Sequence, residues 1–175
     1  MPSPLGHALG GMALGWLVGP KLNRGVAVAS VTYAAIGVAP DLDLFVGSHS
    51  TFTHSVGAVA VVFMAAWAVS KRPRVAAAIA AAWASHLLLD WLGSDTSPPI
   101  GIMALWPFSS EHYQSSFYVF DAISRRYWLP DQFVWGNLKA ALKEVLILGP
   151  VAGVSYWMTY VNHRDTKDTE DAQSS

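Results

Sequence analysis

The sequence predicts an all-α protein, a membrane-embedded bundle of about five short helices with a long, aromatic-rich connection on its outer side. Hydrophobic residues make up 53% of the 175 residues and charged residues only 13%, about half the share usual in soluble domains. Five apolar segments with few charges follow one another, at about 4–19, 25–39, 54–70, 75–92 and 144–161. Several are shorter than the ~20 residues of an ideal spanning helix. A soluble all-α protein is therefore the alternative.

The first segment contains small residues at the spacing that close helix packing requires. Gly11, Gly15 and Gly19 recur every four residues, a pattern that lets membrane helices approach closely. We interpret these glycines as packing residues, and the alanines of the fourth segment likewise. The start of the chain lacks a basic region and carries His7 in its apolar run, so we expect the first helix to be retained rather than cleaved.

The connection over 93–143 is polar but rich in aromatic side chains. Eleven of the 21 aromatic residues lie from Trp91 to Trp135, and Trp and Tyr favour the boundary between membrane and water. We predict an interfacial cap with a short helix near 131–143, and an ordinary aromatic mini-core is the alternative. Residues 1–162 are predicted to form one domain, followed by a disordered polar tail over 163–175.

The basic residues predict the orientation in the membrane, because Lys and Arg of short loops favour the cytoplasmic side. If the segments alternate, one side receives seven of them: Lys21, Arg24, Lys71, Arg72, Arg74, Arg164 and Lys167. The long connection on the other side holds the remaining four: Arg125, Arg126, Lys139 and Lys143. We therefore predict an outer N-terminus and a cytoplasmic C-terminus.

This topology brings the histidines and acidic residues of the apolar segments to one outer face. They are His7, Asp41, Asp43, His49, His54, His86, Asp90, Asp95 and Glu144. Structural polar residues scattered through a bundle would not be sorted in this way. The chain has no cysteine, so a metal must be held by His, Asp or Glu. The net charge of −1 gives no reason to expect a nucleic-acid partner.

The strongest signals are two pairs and one histidine. His86 and Asp90 are four residues apart on one helix face and can bind the same ion; the alternative is a hydrogen bond at a helix end. Asp41 and Asp43 repel one another unless a cation or hydrogen bonds intervene; the alternative is helix capping. His54 is expected to open the third helix.

Four further residues are second-tier candidates, each with a structural alternative. His7 is either a ligand or a packing histidine, and His49 is either a ligand or a solvated loop residue. Asp95 is a candidate ligand or a turn residue. Glu144 is a candidate general base or a helix-end charge that reaches toward water.

Histidines and carboxylates in this number suit one or two divalent ions, with zinc expected first and manganese or magnesium as alternatives. Such ions activate water, so metal-assisted hydrolysis is the natural chemistry. No serine-nucleophile or phosphate-loop motif competes with it. The predicted metal ligands are His7, Asp41, Asp43, His54, His86, Asp90 and Asp95. The catalytic candidates are Asp90, Glu144 and His49.

The same stretches resemble a known family. "SPLGHALGG", "PDLDLF", "HSTFTHS" and "HLLLDWLGSDTSPPIGIMALWPFS" are similar to the YdjM-like proteins of the bacterial inner membrane, which are described as metal-dependent hydrolases. The resemblance runs from residue 3 to about 109, with weaker support from Glu144. It implies functional roles for His7, Asp41, Asp43, His49, His54, His86 and Asp90, followed by Pro107–Ser109. The chain departs from the family pattern at Ser50, where arginine is frequent.

A looser likeness, the His-x-x-x-Asp of His86 and Asp90, is shared with the zinc-dependent phospholipase C and P1 nuclease group. It indicates phosphoesters, either small molecules or lipids, as the substrate class, with the bilayer as the other partner. The main alternative is a non-enzymatic metal-binding membrane protein for transport or scaffolding. A transporter should have ionisable residues near the bilayer midplane rather than at one end. A regulatory protein acting through the acidic 165–171 stretch is a third hypothesis.

Overall fold

The structure, a computed structural model, describes residues 1–22, 25–45, 50–96 and 98–161. Within these ranges it consists of helices and irregular chain, with two isolated β-bridges and no strand. The five main helices are α1 (Pro4–Val18), α2 (Val26–Val38), α3 (Val56–Ser70), α4 (Pro73–Trp91) and α5 (Asn137–Tyr156). The predicted all-α bundle of about five helices is confirmed.

Four short helical pieces complete the fold. Two 3₁₀ segments, Ala39–Phe45 and Phe52–His54, lie between α2 and α3, and π-helical turns at Asp131–Gly136 and Trp157–Val161 extend α5 at both ends. The last helix therefore begins before the apolar segment at 144, and the short helix predicted near 131–143 is its first part. Charged residues interrupt the apolar pattern there, but Lys and Glu are good helix formers and do not interrupt the helix.

Helix α1 lies at the centre of the bundle and contacts α2, α4 and α5, while α4 also packs against α3. Small side chains let these helices approach one another. The core between the second half of α1 and the first half of α4 consists of Ala13, Trp16, Tyr33, Ala78, Ala82 and Ala152. We call this group the alanine core.

The glycines of α1 pack closely, as predicted. A Cβ atom on Gly11 would lie 2.4 Å from the carbonyl oxygen of Tyr33, and one on Gly37 would lie 2.4 Å from that of His7. Because neither contact leaves room for a side chain, α1 and α2 cross backbone to backbone at these two glycines. This crossing sets the position of His7 relative to the end of α2.

The connection after α4 is buried at one point and exposed at another. Phe120 packs against Leu89 of α4 and Leu148 of α5, so the small core here is shared with the helices. Tyr127 and Trp128 nevertheless remain largely exposed, with 74% and 63% of their surface accessible. The segment is therefore anchored at its middle and presents aromatic rings outward near its end.

Apolar side chains cover much of the outer surface. Helix α3 has no buried residue, and Val31 on α2 and Val69 on α3 are 70% and 87% exposed. Among the described residues, the 20-residue stretch Val26–Phe45 is long and apolar enough to cross a membrane, and the apolar helix Val56–Ser70 is shorter. The predicted contributions of Arg24, Arg164, Lys167 and the tail over 163–175 lie outside the described residues.

Candidate metal centre

Four side chains from three parts of the chain meet at one end of the bundle, which we call the outer end after the orientation predicted from the basic residues, the opposite end being the inner end. Asp41 comes from the 3₁₀ segment after α2, His54 from the one before α3, and His86 and Asp90 from the last turns of α4. One ligand atom of each lies within 4.8 Å of the others. The shared helix face of His86 and Asp90 follows from their four-residue spacing. We call these four residues the metal cluster.

The separations within the metal cluster match those of a metal site. Nε2 of His86 lies 3.0 Å from Nε2 of His54 and 3.2 Å from Oδ2 of Asp90. Nε2 of His54 lies 3.3 Å from that same oxygen, and Oδ1 of Asp41 lies 3.6 and 3.8 Å from the two imidazole nitrogens. Tetrahedral zinc with bonds near 2.0–2.2 Å separates its ligands by about 3.3–3.5 Å. The four groups therefore fit around one ion of this size.

The ring of His86 is oriented by a backbone carbonyl. Its Nδ1 lies 2.8 Å from the carbonyl oxygen of Gly37, which can only accept a hydrogen bond, so Nδ1 carries the proton and donates. Nε2 then presents its lone pair to the cluster. Fixing the tautomer of a ligating histidine through its other nitrogen is typical of metal sites.

The ring of His54 is oriented by a carboxylate and a hydroxyl. Its Nδ1 lies 3.2 Å from Oδ2 of Asp43 and 3.0 Å from Oγ1 of Thr53, which itself donates to Asp43 at 2.7 Å. Asp43 thus lies behind His54 and supports it. His54 ends a 3₁₀ turn rather than opening α3, because Ser55 is the N-cap and accepts from the backbone N–H of Ala58.

His7 lies against the metal cluster from α1. Its ring stacks on that of His86 with centroids 3.7 Å apart, and its Nε2 is 3.3 Å from Oδ1 of Asp90. Among the residues that the structure describes, neither of its ring nitrogens has a well-oriented hydrogen-bond partner, and neither does either oxygen of Asp90. Buried polar groups in this state are uncommon and indicate a missing ion or water.

Burial and charge both favour a cation at this position. His7, His54 and His86 have no exposed surface, and Asp90 has 1%. Asp41 and Asp90 place two carboxylates in this largely buried site, and burying their negative charge is costly without a counter-charge. A divalent ion would carry the two positive charges that balance the two carboxylates. Only Asp41, whose side chain is 20% exposed, connects the cluster to the outside.

In the metal-free protein a proton takes the place of the cation. Burial alone lowers the pKa of His54, but the carboxylates of Asp41, Asp43 and Asp90 outweigh burial and raise the pKa to about 11. His54 is therefore an imidazolium at neutral pH when no metal is bound. An ion that binds to Nε2 must displace this proton.

The other predicted site residues lie elsewhere. Oδ2 of Asp95 accepts a hydrogen bond from the backbone N–H of Gly101 at 3.1 Å. Glu144 is buried at the start of α1, where its carboxylate accepts from the backbone N–H of Ser3 at 2.7 Å and from the Ser3 hydroxyl. His49 lies outside the described residues. The structure therefore brings His7 and Asp43 to the cluster but gives Asp95 and Glu144 other partners.

Two supporting residues were not predicted from the sequence. Gly37 acts through its carbonyl, which every residue type has, so no sequence signal marks it. Thr53 directly precedes His54, but its residue type alone does not distinguish a hydroxyl that supports a histidine from one that caps a helix. Both act on the imidazoles rather than on an ion.

Comparison with known proteins places the chain in a family. The profile of the YdjM inner membrane protein family matches residues 1–164. The chain belongs to this family. The YdjM match confirms the resemblance based on residues 3–109 and extends it through α5 and Glu144. No curated protein and no solved structure matches the chain. YdjM proteins are inner membrane proteins by description, and this member has a cluster that is able to hold a metal ion.

Proposed function

We propose that this protein is a multi-pass, metal-dependent hydrolase of phosphoester bonds in the inner membrane. The observation that supports the proposal is the meeting of Asp41, His54, His86 and Asp90 at one point, where all but the partly buried Asp41 are buried. Mixed nitrogen and oxygen ligands suit zinc best, with manganese or magnesium as alternatives. One ion occupies the metal cluster in this proposal, and His7 borders it.

The chemistry follows from the ligand set. A divalent ion held by these four residues would polarise a phosphoryl oxygen and lower the pKa of a water bound to it, which is the chemistry that hydrolysis at neutral pH requires. Gly37 and Asp43 hold the two imidazoles in the ligating tautomer. Asp41 is the best-placed acceptor for the proton of the attacking water, because its side chain alone reaches solvent. Asp90, fully buried between three imidazoles, holds the negative charge of the site.

The exposed apolar faces support insertion as a bundle. Large contiguous apolar surfaces on a soluble monomer are rare, whereas Val31, Val69 and Leu146 are each at least 65% exposed on three different helices. A helix of 15 residues, such as α1, is about 22 Å long, less than the ~30 Å of the hydrocarbon layer. In a bilayer, the outer end of such a helix lies at or below headgroup depth.

The orientation of the bundle is part of the proposal. With alternating segments, the metal cluster faces outward and the C-terminus is cytoplasmic. A reporter fused to the C-terminus should be active only in the cytoplasm, and a tag inserted near Glu111 should react with a reagent that cannot cross the membrane. A C-terminal fusion that is active only on the outside would contradict this orientation.

Hydrolysis is tested on purified protein in detergent. Elemental analysis should find about one divalent ion per chain. A panel of aryl phosphates, phosphodiesters and phospholipids should show turnover that chelation abolishes and metal restores. Asp90→Asn and His86→Ala should each lower the rate by orders of magnitude, because each removes a ligand. His112→Ala is the matched control, since His112 lies in the connection after α4, and it should leave the rate unchanged.

One observation favours a second candidate, a non-enzymatic metal-binding protein. Four protein ligands are enough to fill a tetrahedral shell, and closed shells are typical of structural zinc. Metal bound at one ion per chain, together with no metal-dependent turnover on phosphoesters, esters or amides, would make this second function the better description.

A further inference from the structure

A polar cavity of about 800 Å³ lies at the same end of the protein as the metal cluster. Its polar lining includes Ser50, Thr51, Asp95, Arg125, Arg126 and Gln132. Arg125 and Arg126 are two of the four basic residues that the predicted topology places on the outer side, and exposed aromatic rings directly follow them. The proposed catalytic cluster does not use them.

We propose that this cavity binds the phosphate group of the substrate, with Arg125 and Arg126 as the anchoring residues. The inference rests on the proposed function, because a phosphate held here is useful to a phosphoester hydrolase. The guanidinium group matches phosphate oxygens with paired N–H donors and keeps its charge at all relevant pH values. The lining contains two arginines and the N-terminal residue Met1 but one acidic residue, Asp95, and the hydroxyls of Ser50 and Thr51 add donors. This combination selects an anion.

The backbone links the cavity wall to the metal cluster. Thr51, which lines the cavity, accepts a hydrogen bond through its carbonyl from the backbone N–H of His54 at 2.9 Å. Asp95 follows Asp90 by little more than one helical turn in sequence. The cavity is thus lined by Thr51, which shortly precedes His54, and by Asp95, which shortly follows Asp90. The wall of the cavity is therefore continuous along the chain with the segments that carry His54 and Asp90.

The surroundings of the two arginines favour a lipid as the source of the phosphate. Tyr127 and Trp128 directly follow Arg126, and Trp135 comes a few residues later. The three residues are 74%, 63% and 59% exposed. Exposed Trp and Tyr beside basic residues are typical of segments that lie in the headgroup region of a membrane. A phospholipid headgroup would meet the arginines there while its acyl chains stay in the bilayer.

The test measures binding rather than turnover. The ligand is a short-chain phosphonate analogue of phosphatidic acid, which cannot be hydrolysed, titrated calorimetrically into the metal-loaded protein in non-ionic detergent. The double variant Arg125→Gln/Arg126→Gln should bind it about 10- to 100-fold more weakly, because charge-assisted hydrogen bonds are lost. Its metal content should equal that of the unchanged protein, which shows that the cluster is intact.

Two controls make the measurement specific. Arg72→Gln/Arg74→Gln removes the same charge at the start of α4, where both residues are exposed and far along the helix from Asp90, and it should bind the phosphonate like the unchanged protein. The uncharged diacylglycerol of the same chain length should bind both proteins equally weakly. Phenylphosphonate, a soluble probe, should bind more weakly than the lipid analogue but with the same dependence on the two arginines.

The outcomes separate this inference from the proposed function. Equal phosphonate affinity for the unchanged protein and the Arg125/Arg126 variant would overturn the cavity assignment, even if the protein hydrolyses phosphoesters. Arginine-dependent binding without any turnover would support the cavity and count against the hydrolase. Phenylphosphonate bound as tightly as the lipid analogue would support the phosphate site and overturn its lipid source.

Discussion

Helices α1 and α4 contact each other through two different kinds of residue at their two ends. At the outer end, His7 of α1 stacks on His86 of α4 beside Asp90. At the inner end, the same two helices meet through the alanine core, in which Ala78 and Ala82 are fully buried. One pair of helices thus combines a buried polar contact and an apolar contact within a few turns.

The difference shows which end depends on a ligand. Apolar contacts between small side chains need no further partner, so the alanine core is stable without a bound ion. The metal cluster contains two buried or half-buried carboxylates, and its negative charge must be balanced by a proton or an ion. The stability of the outer end is therefore coupled to metal concentration and pH, and that of the inner end is not.

The largest expected effect is the loss of Asp90. Asp90→Asn keeps the size of the side chain but removes the charge shared by three imidazoles. Metal affinity should fall by more than about a hundredfold, since even residues that only support a ligand contribute 10- to 100-fold. Competition with a chromophoric chelator measures this affinity. An affinity within about tenfold of the unchanged protein would show that Asp90 is not a ligand.

The matched change at the other end is Ala82→Val. Two extra carbon atoms at a fully buried position should lower the free energy of unfolding by about 1–3 kcal/mol through overpacking. Metal affinity should change far less than in Asp90→Asn, because Ala82 lies one helical turn from His86 but contributes no ligand atom. If Ala82→Val weakened metal binding as strongly as Asp90→Asn, the two ends would not be independent.

A rise in pH should lower the stability of the metal-free protein and raise the affinity of the protein for metal. The pKa of His54 is raised to about 11 in the folded, metal-free chain, compared with about 6.5 when unfolded. Its protonation therefore stabilises the metal-free fold fully below pH 6.5, and this contribution is lost as the pH rises toward 11. Metal binding displaces the same proton, so metal affinity should rise with pH by up to about tenfold per unit.

Two measurements check this prediction. Thermal unfolding of the chelated protein should move to lower temperature between pH 6.5 and 9, and calorimetry in buffers of different ionisation enthalpy should find about one proton released per metal ion. Metal affinity that is equal at pH 6.5 and 8.5 would contradict a proton on His54.

The smallest expected effect concerns Thr53. Thr53→Val keeps the shape of the side chain but removes the hydroxyl that donates to Asp43 and contacts Nδ1 of His54. Metal affinity should fall by about tenfold, as is usual for groups that support a ligand. Thr53→Ser keeps the hydroxyl and should therefore retain most of the metal affinity. An unchanged affinity in Thr53→Val would indicate that Asp43 alone orients His54.

The helices were predictable because apolar composition and segment length determine them. The start of α5 was not, because Lys139, Lys143 and Glu144 resemble the end of a polar connection while they continue a helix. The metal cluster was predictable from residue type and spacing, as with His86 and Asp90. The role of Asp43 was not, because sequence does not distinguish a carboxylate that faces an ion from one that faces the back of an imidazole.

The contact between Ser3 and Glu144 has a consequence for the order in which the protein is made. The carboxylate that receives the two donors at the start of α1 belongs to α5, 141 residues later. A growing chain that contains α1 to α4 already holds every residue of the metal cluster, but the carboxylate that accepts from Ser3 has not yet been made. The contact that joins the start of α1 to α5 therefore forms only when the final helix emerges from the ribosome, and it is among the last contacts of the bundle to be completed.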